Sequence, residues 1–157
     1  MYLSRKSYTL DQALSKLKRY CAYQDRCHAE VERKLTEMGM IPQAKDEIII
    51  SLIEHDYLNE ERFALTFVKG KFRIKKWGRI RLRAELKKRK ISKYLIKSAL
   101  QQISDVDYLA SFEELANNKA TLIKAKSKLL KRKKLADYLI YRGWESTLVY
   151  DKVNQLF

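Results

Sequence analysis

Three segments of this chain align without a gap: EVERKLTEMGM at 30–40, RLRAELKKRKI at 81–91 and KLADYLIYRGW at 134–144. Val31, Leu82 and Leu135 coincide, as do Leu35, Leu86 and Leu139; Gly39, Lys90 and Gly143 then fall together, followed by Met40, Ile91 and Trp144. The copies are offset by 51 and 53 residues. A period of that length signals a repeat architecture, whose units bury their apolar faces against one another. The shared apolar pair at i and i+4 is helical spacing. It decides the middle copy, where Arg79-Ile80-Arg81-Leu82-Arg83-Ala84 alternates like an edge strand when read alone. Gly39 and Gly143 stand where a helix ends in a left-handed residue, a role for which Lys90 is a poorer choice.

Each central helix is flanked by two others. Before it come amphipathic segments at 10–23, 60–74 and 108–130; after it come shorter apolar ones at 43–54, 93–103 and 146–157. Phe63 and Phe67 lie on the apolar stripe of the second of these and read as core. Four glycines and one proline leave little room for sheet turns, and 46% hydrophobic residues suffice for a core. The expected fold is all-α, an elongated tandem array of three three-helix repeats at 8–56, 57–104 and 105–157, with short joints near 56–58 and 104–107. Units this small draw stability from packing end to end.

Charge is unevenly spread. Residues 1–61 carry nine Lys/Arg against eleven Asp/Glu, residues 62–97 carry fifteen against Glu85 alone, and residues 98–157 carry ten against seven. Nearly all of the net +15 therefore sits in the middle repeat. A field so concentrated attracts a polyanion or an acidic protein surface. With Leu82 and Leu86 turned to the core, Arg79, Arg83 and Lys87 share the opposite face at i, i+4, i+8. Lys69, Lys71, Arg73 and Lys76 lead into the Trp77-Gly78 corner and extend the candidate surface. Trp77 there either stacks on a base or packs the corner. Arg62 either pairs with a nearby acid or marks the surface's edge. A second basic run, KAKSKLLKRKKL at 124–135, precedes the last central helix and either extends the track or is a solvated face.

Other chemistries find no footing. Cys21, Cys27 and His28 lack the paired spacings of a metal site, and no glycine-rich phosphate loop or acid/base motif surrounds His28 or His55. No catalytic, cofactor-binding or metal site is expected. No run of about 18 apolar residues occurs, so no membrane span is expected. The N-terminal residues lack the apolar core of a secretion signal, which suits a cytoplasmic chain.

YLNEERFALTFVKGK at 57–71 followed by WGRIRLRAELKKRKI at 77–91 resembles the central signature of RecX, the regulator of the RecA recombinase. QDRCHAEVERKL at 24–35 and RGW at 142–144 are similar to that family's first-repeat and closing blocks, so the likeness spans nearly the whole chain. Cys27, Val31 and Lys90 depart from the usual residues. The resemblance implies a non-enzymatic modulator that lies on RecA filaments formed on single-stranded DNA and suppresses ATP turnover, strand exchange and co-protease activity, and so the SOS response. It also implies direct contact with DNA, expected to be single-stranded with duplex as an open second ligand; separately, the chain is expected to be a monomer. The competing expectation is a free-standing, largely sequence-independent DNA-binding protein, architectural or helix-turn-helix-like. The basic helix carries few Asn, Gln or Ser side chains for reading base edges.

Overall fold

The computed structural model describes residues 7–157 and contains helices and no strand among them. Nine α-helices follow in order: α1 Leu10–Tyr23, α2 His28–Glu37, α3 Pro42–Glu54, α4 Glu60–Gly70, α5 Arg79–Lys88, α6 Lys93–Leu100, α7 Asp105–Leu122, α8 Lys128–Tyr141 and α9 Ser146–Leu156. Their starts are written in short polar residues. Thr9 accepts from the Gln12 N–H while Gln12 accepts from that of Thr9, and Asn59, Ser92, Ser104 and Ser127 each cap the helix that follows. Pro42 opens α3, where its missing N–H costs nothing.

The helices group in threes, α1–α3, α4–α6 and α7–α9. Within each group the aligned residues do the same work. Val31, Leu82, Leu135, Leu35, Leu86 and Leu139 are all 0% exposed. Gly39, Lys90 and Gly143 all adopt positive φ, at 78°, 58° and 94°. Lys90 thus occupies the left-handed C-terminal position that its two counterparts fill with glycine. A non-glycine residue there costs about 1–2 kcal/mol, offset partly by the greater unfolded-state freedom of glycine. Lys90→Gly is expected to raise the melting temperature by about 2–4 °C, followed by circular dichroism. An unchanged or lower value would mean that the lysine side chain contributes more than its backbone costs.

Two cores result. The first, built from Ala13, Leu17, Cys21, Val31, Leu35, Met38, Ile48, Leu52 and Leu58, belongs to α1–α3 and the joint after them. The second runs without interruption from Phe63 on α4 to Val153 on α9 and includes Cys27 at the start of α2. The second and third groups are therefore fused through a common interior, while the first keeps its own. The seam between the first group and α4 is partly polar. Arg62 Nε donates to Asp25 at 2.9 Å, Thr66 Oγ1 donates to Asp25 at 2.9 Å, and His28 faces Glu60 at 3.5 Å.

Between the second and third groups the backbones nearly touch. Gly78 N–H donates to Arg142 O at 2.8 Å, Ile80 N–H to Gly143 O at 3.0 Å, and Trp144 Nε1–H to Lys76 O at 3.0 Å. The chain reaches this corner through a π-helical turn, Lys71–Lys75, which Lys76 ends in the left-handed region at φ 58°.

Three expectations need correction. The segment read as one helix over 60–74 is α-helical only to Gly70 and then widens to the π turn, which brings Lys76 and Gly78 onto the third group. The helix read over 108–130 stops at Leu122: Ile123 is extended, and Ser127 starts a new helix by accepting from the Leu130 N–H at 3.2 Å. The basic run at 124–135 therefore spans this break and forms the first half of α8. The joint read at 104–107 lies just upstream, because Ser104 caps α7 and Asp105 is already helical.

Candidate polyanion-binding groove

Helices α5 and α6 meet at an angle that leaves a groove of about 740 Å³. Arg79, Arg83 and Lys87 line one wall from α5, Lys93 and Lys97 line the other from α6, and Ile96, Leu100 and Ile103 form its floor. Both walls follow from helical periodicity. Burial of Leu82 and Leu86 on α5, and of Ile96, Ala99 and Leu100 on α6, leaves the cations at i and i+4 standing on the groove edges. Successive cations on one wall are separated by about 6 Å along the helix axis.

Four of these cations combine a place on the groove with the lack of an internal carboxylate partner. Among the described residues, the side chains of Arg83, Lys87 and Lys97 make no ion pair or hydrogen bond, and that of Lys93 has only the neighbouring Tyr94 ring at 5.3 Å. Three other charges of the basic stretch are already engaged. Lys88 and Arg89 both pair with Glu85, at 3.3 Å and 3.0 Å, and these bonds, Arg89's first, hold the Glu85 carboxyl below its usual range. Arg81 stacks on Trp77 at 4.2 Å and on Tyr141 at 4.7 Å.

The remaining candidates from the sequence fall into distinct settings. Arg62 is a structural clamp: it bonds Asp25 and Asp56 at 2.9 Å and 3.2 Å, and these partners, Asp25 first, raise its pKa. Lys69 on α4 and Arg73 in the π turn are exposed, and neither lines the groove. Lys71 is half-buried over Phe67 and Trp77, at 5.7 Å and 5.3 Å. Lys76 is half-buried and gives its carbonyl to Trp144. Trp77 packs at 6.1 Å from Phe67, with Lys71 at 5.3 Å and Arg81 at 4.2 Å over its ring, so it is engaged within the corner.

Arg79 departs most from expectation. It was expected to face outward with Arg83 and Lys87, yet its side chain is only 28% exposed. The guanidinium stacks on Tyr108 at 3.8 Å, donates to Asp105 at 2.8 Å and lies 4.0 Å from Glu145, while its backbone N–H donates to Tyr108 Oη at 2.9 Å. Tyr108 in turn donates to Glu145, and burial, reinforced by Glu145, drives the phenol pKa well upward. The reason is tertiary: α7 and the start of α9 pack over the first turn of α5 and turn a nominally outer position into part of the joint.

Lys93 and Lys97 were missed. They lie on a helix whose apolar residues dominate its pattern, and only their i, i+4 spacing, the same as on α5, could have marked them.

The second three-helix domain of RecX matches residues 59–100, the region that builds the groove. Regulatory protein RecX of Lactobacillus johnsonii is 30% identical over 103 residues, which are 66% of this chain and 36% of that protein. Regulatory protein RecX of Yersinia enterocolitica is 24% identical over 156 residues, covering 86% of this chain and 92% of that one. The chain thus spans about a third of the first relative and nearly all of the second. Among solved structures, one of regulatory protein RecX superposes with a TM-score of 0.82 at 20% identity, over 93% of this chain and 73% of that chain. RecX from Lactobacillus salivarius gives 0.75 at 24% identity, over 94% and 93%. The array of three-helix repeats is the fold they share.

Proposed function

This chain belongs to the RecX family of regulatory proteins, and on that premise we propose that it binds RecA filaments on single-stranded DNA and holds down their ATPase, strand-exchange and co-protease activities. It does so by occupancy and not by turnover. The observation that carries this reading is the groove between α5 and α6, in which Arg83 and Lys87 on one wall and Lys93 and Lys97 on the other, all without an internal carboxylate partner, flank an apolar floor. Guanidinium and ammonium groups so placed bind phosphates of a nucleic-acid backbone or carboxylates of a protein surface. Their regular pitch along two rigid helices suits a polymer with repeating charge.

The groove reads backbone and not sequence, since its walls offer only cations apart from Gln101, Ser104 and Asp105 at one end. Single-stranded DNA is the ligand that fits the reading, with duplex DNA as a weaker one. The chain acts as a monomer in the cytoplasm. No helix among the described residues is long and apolar enough to cross a membrane.

Titration of the protein into RecA-catalysed ATP hydrolysis on single-stranded DNA, and separately into duplex DNA without RecA, tests this. Inhibition well below one chain per RecA monomer is expected. Tight duplex binding with hydrolysis untouched would instead identify a free-standing DNA-binding protein.

A further inference from the structure

The groove contains one carboxylate among its five cations. Asp105, the first residue of α7, stands at the groove's end with its side chain 90% exposed, and it takes the outer nitrogen of Arg79 at 2.8 Å. Arg79 itself is held independently of that bond. Its guanidinium lies flat on Tyr108 at 3.8 Å and its backbone N–H donates to the Tyr108 oxygen at 2.9 Å, so the fork stays aimed at the groove end whether or not Asp105 is there. The pair thus joins a rigid, half-buried donor to a solvent-exposed acceptor that little else restrains. An exposed ion pair of this kind is weak, so a phosphodiester oxygen can take the same guanidinium nitrogen while the other terminal nitrogen stays 4.0 Å from Glu145.

We propose that Asp105 is a stand-in for phosphate at the mouth of the groove: it occupies Arg79 until a phosphodiester displaces it, and thereby limits how tightly the groove binds a nucleic-acid backbone. The inference rests on the groove being the polyanion site. In the empty groove Asp105 satisfies Arg79 and repels approaching anions. In the filled groove Arg79 becomes a fifth phosphate contact, continuing the row begun by Arg83 and Lys87, and the carboxylate turns to solvent. Because Arg79 also anchors α7 and α9 through Tyr108 and Glu145, the exchange takes place at the joint between the second and third repeats.

The test measures the affinity of a fluorescein-labelled oligothymidylate across a series of salt concentrations. Asp105→Asn is expected to bind about three- to tenfold more tightly with the slope of log affinity against log salt unchanged, because Arg79 meets a phosphate in both complexes and only the competing carboxylate is lost. Asp107→Asn removes the same charge from the same first turn of α7 but does not line the groove, and should change affinity less than about twofold with no change of slope. Equal effects of the two substitutions would overturn the displacement and leave only a general charge effect, and a slope steepened by about 0.7 would overturn it too, because Arg79 would then meet phosphate only once the carboxylate is removed. An Arg83→Glu/Lys87→Glu protein in the same series separates the two levels. If it binds as the wild type does, the groove is not the site and the proposal falls with that reading; if it loses binding while Asp105→Asn equals wild type, only the stand-in role of Asp105 falls.

Discussion

Gly143→Ala is expected to lower the unfolding free energy by about 3–5 kcal/mol in urea titration, whereas Gly39→Ala, at the aligned position of the first repeat, should cost only about 1 kcal/mol. Both glycines have positive φ, 94° and 78°, so each alanine bears the same conformational penalty. The surroundings differ. A Cβ on Gly39 meets nothing within 4 Å, but one on Gly143 would lie 2.2 Å from Arg81 Cβ and 2.4 Å from its backbone nitrogen. Those atoms belong to α5 and cannot rotate away. Relief requires parting the joint, with loss of the Gly78, Ile80 and Trp144 hydrogen bonds and of packing around Trp144, which is 1% exposed. Gly78 is under the same constraint from the other side, its Cβ falling 2.4 Å from Gly143 O. Equal midpoints for the two variants would show that the two backbones do not approach as closely as described.

The second large effect concerns binding. Reversing Arg83, Lys87, Lys93 and Lys97 to Glu should weaken association with single-stranded DNA and with RecA filaments by more than about a hundredfold at moderate salt, since each lost phosphate contact also removes its share of counterion release. All four side chains are exposed, so helix content should stay close to wild type. The set omits Arg79 deliberately. A glutamate there would face Asp105 and Glu145 and lose the stack on Tyr108, so loss of activity would report a damaged joint and not a damaged surface. A folded four-site variant that still inhibits RecA-catalysed ATP hydrolysis at wild-type concentrations would exclude the groove as the contact.

The repeat was legible because its marks are local. An apolar pair at i, i+4 followed by a chain-reversing residue is the same physical instruction three times, and it held even at Lys90, where the residue type argued against it. The cap at Ser127 was equally local, yet the apolar and lysine-rich residues around it are good helix formers and masked the break. The groove was half legible. Periodicity places Arg83 and Lys87 on the outer face of α5, but it does not say which helix stands opposite, and so Lys93 and Lys97 went unseen. Arg79 failed for the complementary reason: facing away from one's own helix bundle means facing solvent only if no further repeat covers that face. Charge counting alone could not separate the cations paired with Glu85 from those left for a partner, because that division depends on which side chains the fold brings within about 3 Å.

The chain has two tryptophans, and both lie at the meeting of the second and third repeats. Trp144 is sealed among Phe72, Tyr108 and Phe112, and Trp77 rests against Phe67 beneath Arg81. Indole emission, excited at wavelengths that tyrosine does not absorb, is therefore a gauge of a single corner. A shift of that emission on adding RecA filaments would place a change at this corner, and α1–α3, with no indole of their own, stay dark to it.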